Sequence, residues 1–235
     1  MPIIITVFNM TKLRQINNKQ PSELEVFIHD IASPLTNIGI SLENMKSQIY
    51  TNPHQLERSI MATIDSLEYL FLITRHNNPN GRQKQQSFYL FSDLISEIVS
   101  NKFKFLLETN KIILIKETIA FVTINKDRRL LNRVISNIIS NSIDALSGKN
   151  SKVKRIKIKS EVSNNFLFIT IVDNGIGMSP TTLRSVFNYH YSTKENHTGI
   201  GLSTVKEIIE ETFCGNIVIN SLISIGTVVK ITIPI

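Results

Sequence analysis

The stretch that decides the fold of the second half of the chain is a β-rich run that ends on a glycine-rich turn: Phe168-Ile169-Thr170-Ile171-Val172-Asp173-Asn174-Gly175-Ile176-Gly177-Met178. Its first five residues predict a strand. The glycines let the backbone approach a ligand closely, and a carboxylate at a strand end accepts a hydrogen bond from the exocyclic amine of a purine. The same residue types are common in tight turns, so both interpretations stay open for this stretch alone.

Helical and strand-like segments alternate on both sides of this stretch. Apolar spacing predicts helices at about 92–108, 127–147 and 199–213. Runs rich in β-branched residues predict strands at 111–116, 119–124, 153–162, 166–172, 216–222 and 226–233. This alternation predicts an α/β sandwich over residues 88–235, and the polar, proline- and glycine-containing run at 79–87 predicts a linker before it.

The first half of the chain carries a heptad pattern. Ser22 and Glu25 form a capping box that predicts a helix start, and Pro53 suits the start of a second helix. The first seam consists of Leu24, Ile28, Ile31, Leu35, Ile38, Leu42, Met45 and Ile49, and the second of Leu56, Ile60, Ile64, Leu67 and Phe71. Because two helices alone have too little core, residues 22–78 predict a helical hairpin that forms a four-helix bundle in a homodimer. Residues 1–21 are a segment of uncertain structure.

His29 follows a seam residue, and we therefore expect it to flank the seam and face solvent. Asp30 comes next in the chain and can hold the imidazole tautomer or accept its proton, which leaves the other nitrogen to attack a phosphorus atom. Pro34 cannot donate to the carbonyl of Asp30, so we expect a loosened turn beside the histidine. A lone histidine would be interpreted as an ordinary surface residue, but the downstream motifs favour a phosphate acceptor.

Two asparagines and a second glycine motif complete the set. Asn137 and Asn141 are four residues apart and share a helix face with Asp144, where amide oxygens suit Mg²⁺ but an incidental polar face is the alternative. Gly199 and Gly201 open a predicted helix whose first N–H groups can bind phosphate. The motif is neither a P-loop nor a Rossmann fingerprint.

The segment before that helix, residues 184–197, is polar, and we interpret it as a lid over a nucleotide. Lys194 is its candidate phosphate-binding cation, although an ordinary solvated lysine explains the residue nearly as well. His190 and His197 lie in the same segment, but without a third ligand we interpret them as loop residues.

Composition excludes several classes of protein. The net charge is +7, but the basic residues are dispersed, and the densest run, at 152–159, mixes them with β-branched residues as in an exposed strand. We therefore predict no nucleic-acid partner. A single cysteine excludes an internal disulfide and a cysteine-based metal cluster. No segment approaches the ~18 apolar residues of a membrane span, so we expect a cytoplasmic protein.

These motifs, in this order, resemble the core of bacterial two-component sensor histidine kinases from about residue 22 to the end. The run from His29 to Leu35 is similar to the H box of that family. The later motifs match its N box (Asn137, Asn141), first glycine box (Asp173, Gly175, Gly177), F box and lid start (Phe187, Lys194), second glycine box (Gly199, Gly201, Leu202) and late Gly-Thr pair (Gly226, Thr227).

The resemblance implies an ATP-binding α/β sandwich of the fold shared with gyrase, the ninety-kilodalton heat-shock chaperone and the mismatch-repair ATPases. It implies ATP and Mg²⁺ as cofactors, with Asn141 as a metal ligand, Asp173 in contact with adenine and Thr227 nearby. It also implies transfer of phosphate to His29 and then to an aspartate of a response regulator.

The chain departs from the family pattern at two positions, and we expect no sensor region within it. Asp144 stands where the family often has a basic residue, so neutralisation of the phosphate charge has to come from elsewhere, with Lys194 as the candidate. Ser33 stands where kinases that are also phosphatases typically have Thr or Asn. Input then comes from a separate sensor protein, or residues 1–21 are the remnant of a longer receptor. Two alternatives remain: an ATPase of the same fold without phosphotransfer, and a dimeric scaffold that does not phosphorylate.

Overall fold

The computed structural model describes residues 88–147, 153–188, 191 and 201–235. In the N-terminal half it describes residues 31, 32, 35, 36, 38–43, 45, 63, 66, 67 and 70. The chain divides into two compact units, Met1–Gln83 and Lys84–Ile235. Among the described residues, no helix is both long and apolar enough to cross a lipid bilayer.

In the first unit the described residues are helical. Ala32, Thr63 and Ser66 are buried, whereas Leu35, Leu42 and Leu67 are exposed by 43%, 53% and 52%. The turn near Pro53 and the predicted capping box lie outside the described residues. The four-helix bundle and the domain limits at 22–78 and 79–87 therefore stay predictions.

The second unit is built on a five-stranded sheet. Its strands are β2 (Ile112–Lys116), β4 (Lys154–Ser163), β5 (Phe166–Asp173), β6 (Asn216–Leu222) and β7 (Gly226–Pro234), which lie in the order β2-β4-β5-β7-β6. The β2–β4 pair is parallel and the other pairs are antiparallel. A small antiparallel ladder joins β1 (Tyr89–Leu90) to β3 (Thr123–Ile124).

Helices pack on one face of this sheet. They are α1 (Phe91–Glu97), α2 (Lys104–Thr109), α3 (Arg128–Ser147), α4 (Pro180–Ser185) and α5 (Gly201–Glu207), with π-helical stretches at Ile98–Phe103 and Ile208–Thr212. Helix α3 lies against β4, β5 and β7. Its apolar stripe is buried against alternate strand residues, and the core includes Leu131, Val134, Ile135, Ile138, Ile139, Ile156, Ile158, Ile169 and Ile171. The predicted α/β architecture of this unit is confirmed.

Helix α3 begins after a side-chain cap. Oδ1 of Asp127 accepts hydrogen bonds from the backbone N–H groups of Arg129 (2.9 Å) and Leu130 (3.4 Å), which have no partner inside the helix. Arg128 lies over the ring of Tyr89, 4.8 Å from its centroid, and also pairs with Glu97. Burial raises the pKa of the Tyr89 phenol. These contacts hold the start of α3 against β1 and α1.

The structure differs from the prediction at two elements. The strand expected at 119–124 is reduced to Thr123–Ile124. Before it, the chain still bonds to β4 through Thr118 and Ala120, but irregularly, and Phe121 is 82% exposed. Helix α4 lies where no helix was predicted, although Ser179 caps it and Pro180 occupies its first turn, as helix starts favour.

Candidate functional site

The described candidate residues gather at one end of the second unit. Asp173 is the last residue of β5, and its Cα is paired with that of Thr227 at the start of β7. Asn137 and Asn141 lie one turn apart on α3, and Gly201 and Leu202 open α5. Four predicted site residues, His29, Asp30, Lys194 and Gly199, lie outside the described residues.

Both carboxylate oxygens of Asp173 accept hydrogen bonds inside the protein. The backbone N–H of Gly175 donates to Oδ1 at 2.8 Å, and the hydroxyl of Ser142 donates to Oδ2 at 3.2 Å. The side chain is only 7% exposed. These two bonds come from separate elements and hold the carboxylate in one orientation. Its oxygens are acceptors of the kind that an amine donor requires.

The first glycine motif is packed too tightly for side chains. A β-carbon on Gly175 would stand 2.7 Å from Cβ of Ala145 on α3. Gly177 has a φ of +67°, and a β-carbon there would stand 1.9 Å from the carbonyl oxygen of Leu222. The N–H of Ile176 donates to the carbonyl of Ala145 at 3.1 Å. The glycines therefore let the loop after β5 lie against α3 on one side and the β6–β7 hairpin on the other.

Asn137 and the second glycine motif are adjacent. Nδ2 of Asn137 donates to the carbonyl oxygen of Arg133 at 3.1 Å, which fixes the amide. A β-carbon on Gly201 would be 2.9 Å from Oδ1 of Asn137. The structure thus brings together the asparagine helix and the helix that follows the second glycine motif.

Three polar residues that sequence reasoning missed support this site. The side chain of Asn174 bridges the start of β4, since Oδ1 accepts from the N–H of Arg155 (2.7 Å) and Nδ2 donates to the carbonyl of Val153 (2.9 Å). Ser221 accepts from the N–H of Met178 at 2.9 Å and lies 3.0 Å from Oγ1 of Thr227. Ser142 is the third. In the sequence, its position next to Asn141 was the only signal of a site role, because its partner Asp173 lies 31 positions away.

The donor set of the site fits a magnesium nucleotide. Amide oxygens at Asn137 and Asn141 are hard ligands of the kind Mg²⁺ accepts, and both side chains are only half-buried on α3. The carboxylate of Asp173 supplies an acceptor for an amine, and the tight glycine loop supplies close backbone approach. Among the described residues, no cluster of three or more histidine, cysteine or acidic side chains offers a different metal site.

Comparison with known proteins shows what the second unit is similar to. Residues 126–235 match the family model described as histidine kinase-, DNA gyrase B-, and HSP90-like ATPase. A putative NtrY-like sensor histidine kinase of Rickettsia bellii (strain RML369-C) is 28% identical over 198 residues, which are 80% of this chain and 31% of that protein. Over 80–88% of its length the chain is similar to bacterial sensor histidine kinases at 27–28% identity.

Solved structures of histidine kinases share the fold. The catalytic domain of histidine kinase ThkA aligns with a TM-score of 0.56 and 26% identity over 63% of this chain and 94% of that domain. ThkA in complex with response regulator protein TrrA aligns with a TM-score of 0.53 and 24% identity over 88% of this chain and 59% of that one. The chain spans about a third of the length of the curated sensor histidine kinases that it matches.

Proposed function

We propose that this chain is an ATP-dependent protein-histidine kinase that phosphorylates itself on His29. The observation that carries the proposal is the convergence of four separate motifs at one end of the sheet. Asp173 and Thr227 lie side by side there, and Asn137 lies against Gly201. The family match of residues 126–235 and the similarity to sensor histidine kinases support the same activity.

Each group has a role in binding the nucleotide. Asp173 accepts from the exocyclic amine of adenine, and Thr227 lies beside the base. Asn137 and Asn141 hold Mg-ATP, with Asn141 as the metal ligand, and the N–H groups opening α5 bind phosphate with Gly199, Gly201, Leu202 and Lys194. Mg²⁺, when bound through Asn141, neutralises charge on the transferred phosphoryl group. The residues of the protein position the γ-phosphate for in-line transfer.

His29 is the nucleophile of the proposal, and Asp30 orients its imidazole. The pattern of the sequence supports this assignment, because the histidine flanks a heptad seam and is followed at once by a carboxylate. The imidazole nitrogen that is not bonded to Asp30 carries no proton and attacks the γ-phosphorus. ADP leaves, and phosphohistidine forms.

We propose that the first unit mediates homodimerisation. Leu35, Leu42 and Leu67, which the heptad pattern assigns to the seams, are about half exposed in the single chain. Burial of the exposed half of each side chain in a second copy would contribute about 1 kcal/mol per leucine. Sedimentation measurements on the full chain test this, since a monomer at micromolar concentration would contradict it.

A response regulator is the proposed acceptor of the phosphoryl group. Support comes from histidine kinase ThkA, whose fold this chain shares and whose structure was solved in complex with the response regulator protein TrrA. Input from a separate sensor protein or from further sequence is part of the same proposal.

Labelling with γ-labelled ATP and Mg²⁺ tests the activity. The full chain should acquire label that is lost in acid and survives alkali, and Asp173→Asn should abolish it at ATP concentrations that saturate the unmodified protein. Asp93→Asn, a matched change at an exposed carboxylate of α1, should label normally. Release of phosphate without labelled protein would favour an ATPase. Binding of ATP with neither phosphate release nor labelled protein would favour a scaffold.

A further inference from the structure

Four large aliphatic side chains are exposed to solvent at the turn of the β6–β7 hairpin and in the loop beside it. Leu222, Ile223 and Ile225 belong to the hairpin, Ile176 lies in the loop after β5, and they are exposed by 64%, 60%, 66% and 47%. The two segments are in contact, because the N–H of Ser224 donates to the carbonyl oxygen of Ile176 at 2.7 Å. We call these four residues the aliphatic tip.

The backbone of the turn does not require aliphatic residues. The left-handed angles fall on Ser224, with a φ of +65°, and on Gly226, with a φ of +140°. Exposed turns favour Gly, Asn, Asp, Pro and Ser, whereas isoleucine favours strands. Single exposed aliphatic residues are common on protein surfaces, but adjacent ones indicate a docking surface for a protein or a membrane.

The aliphatic tip lies beside the candidate nucleotide site and is separate from it. Thr227 follows Ile225 by two residues and, like its strand partner Asp173, is only 7% exposed. Aliphatic side chains have no hydrogen-bond donor or acceptor with which to recognise a polar nucleotide. The tip is therefore a second surface at this end of the sheet.

Basic residues lie close to the tip. Asn174 connects the two places, since its Oδ1 accepts from the N–H of Arg155 at 2.7 Å and its Cα would lie 2.8 Å from a β-carbon on Gly226. Lys154 and Arg155 begin β4 at this end of the sheet. The net charge of +7 falls in the second unit, because basic and acidic residues balance within Met1–Gln83.

We propose that the aliphatic tip docks on an anionic lipid surface. Its side chains enter the boundary between headgroups and acyl chains, and the basic residues at the start of β4 attract the anionic headgroups. A protein partner fits less well, because the cores of protein interfaces are rich in aromatic residues, Met and Arg and poor in Lys. The exposed residues of the tip are all aliphatic, and Lys154 is one of their charged neighbours. This docking does not depend on the proposed kinase activity.

A tryptophan in the tip reports on this docking directly, because the chain has none of its own. In the full chain, the emission of Ile223→Trp should shift to the blue when vesicles of phosphatidylcholine and phosphatidylglycerol are added, since the indole leaves water. Val162→Trp is the matched control, at an exposed aliphatic residue near the other end of β4, and its emission should not shift. Vesicles of phosphatidylcholine alone should bind at least about fivefold more weakly.

Co-sedimentation of the full chain with the same mixed vesicles measures binding without a reporter. Ile223→Asp should weaken binding at least about tenfold, because it removes apolar surface and adds a charge of the same sign as the lipid. Arg155→Gln should weaken binding about fivefold. Lys104→Gln, at an exposed position of α2, should weaken it by less than about twofold.

Three results would overturn the proposal. They are equal emission shifts in Ile223→Trp and Val162→Trp, no shift in either, and undiminished co-sedimentation of Ile223→Asp. A shift of Ile223→Trp that grows with protein concentration without vesicles would also overturn it, because the tip would then meet another copy of the chain. The proposed kinase activity would stand in each case, because labelling by ATP is measured without vesicles.

Discussion

The amide oxygen of Asn137 lies only 2.9 Å from the point where a β-carbon on Gly201 would stand. Asn137 cannot simply turn away, because its Nδ2 is bonded to the carbonyl of Arg133. The first turn of α5 and the polar face of α3 are therefore fitted to each other. Glycine at 201 is required by a neighbouring side chain rather than by an unusual backbone angle.

Gly201→Ala tests this fit. The added methyl group should displace the amide of Asn137, at the cost of its bond to Arg133, and weaken Mg-ATP binding about tenfold, equivalent to about 1.4 kcal/mol. The free energy of unfolding should change by less than about 1 kcal/mol, since alanine favours the helix that Gly201 begins. Calorimetric titration and urea denaturation measure the two quantities. A loss of stability without a loss of affinity would show that the contact is structural only.

Gly226→Ala should instead damage the fold. Gly226 has a φ of +140°, and a β-carbon there would stand 2.0 Å from the carbonyl oxygen of Asp173. Backbone strain and the steric clash together should lower the free energy of unfolding by about 2–4 kcal/mol.

Gly39→Ala is the control for that substitution, because Gly39 is helical and a β-carbon there meets nothing within 4 Å. It should be neutral or stabilising by up to about 1 kcal/mol. Urea denaturation checks both variants, and equal effects at Gly226 and Gly39 would contradict the account.

The cap of α3 should contribute measurably to stability. Asp127→Ala removes the acceptor for two N–H groups at the helix start and should cost about 1 kcal/mol. A thermal scan should show a Tm about 2–4 °C lower. Asp127→Asn keeps a capping oxygen and should stay near the Tm of the unmodified chain; a matching drop in both variants would assign the effect to charge rather than to capping.

Ser221 should link the first glycine motif to the hairpin of β6 and β7. Its hydroxyl oxygen accepts from Met178 and lies beside Thr227. Ser221→Ala leaves a part-buried N–H without its acceptor and should destabilise the fold by about 1–2 kcal/mol. Ser163→Ala, at an exposed position of β4, should change stability by less than about 0.5 kcal/mol. Chemical denaturation compares the two, and similar values would exclude the proposed link.

The sequence predicts the elements of the second unit better than their contacts. The helix expected at 127–147 is observed as Arg128–Ser147 because its apolar spacing is the stripe that packs on the sheet. The run from Thr118 to Val122 has strand-forming residues, yet it leaves β4 to reach β1, a path that no local preference determines. The π-helical stretches likewise depend on packing.

The site was predictable where its chemistry is local. Asp173, Gly175 and Gly177 follow one strand, so their spacing indicated a ligand loop. The bond between Ser142 and Asp173 joins residues 31 positions apart, and the fit of Asn137 to Gly201 joins two helices. Such pairs exist only once tertiary packing brings their elements together, so sequence order alone could not predict them.

The assignment of His29 is tested most directly by labelling a His29→Gln variant with γ-labelled ATP and Mg²⁺, beside the unmodified chain and His76→Gln, a matched change at another histidine. The account predicts acid-labile, alkali-stable label on the unmodified chain and on His76→Gln, and none on His29→Gln. ATP binding should be equal in all three proteins. Full labelling of His29→Gln would contradict the account.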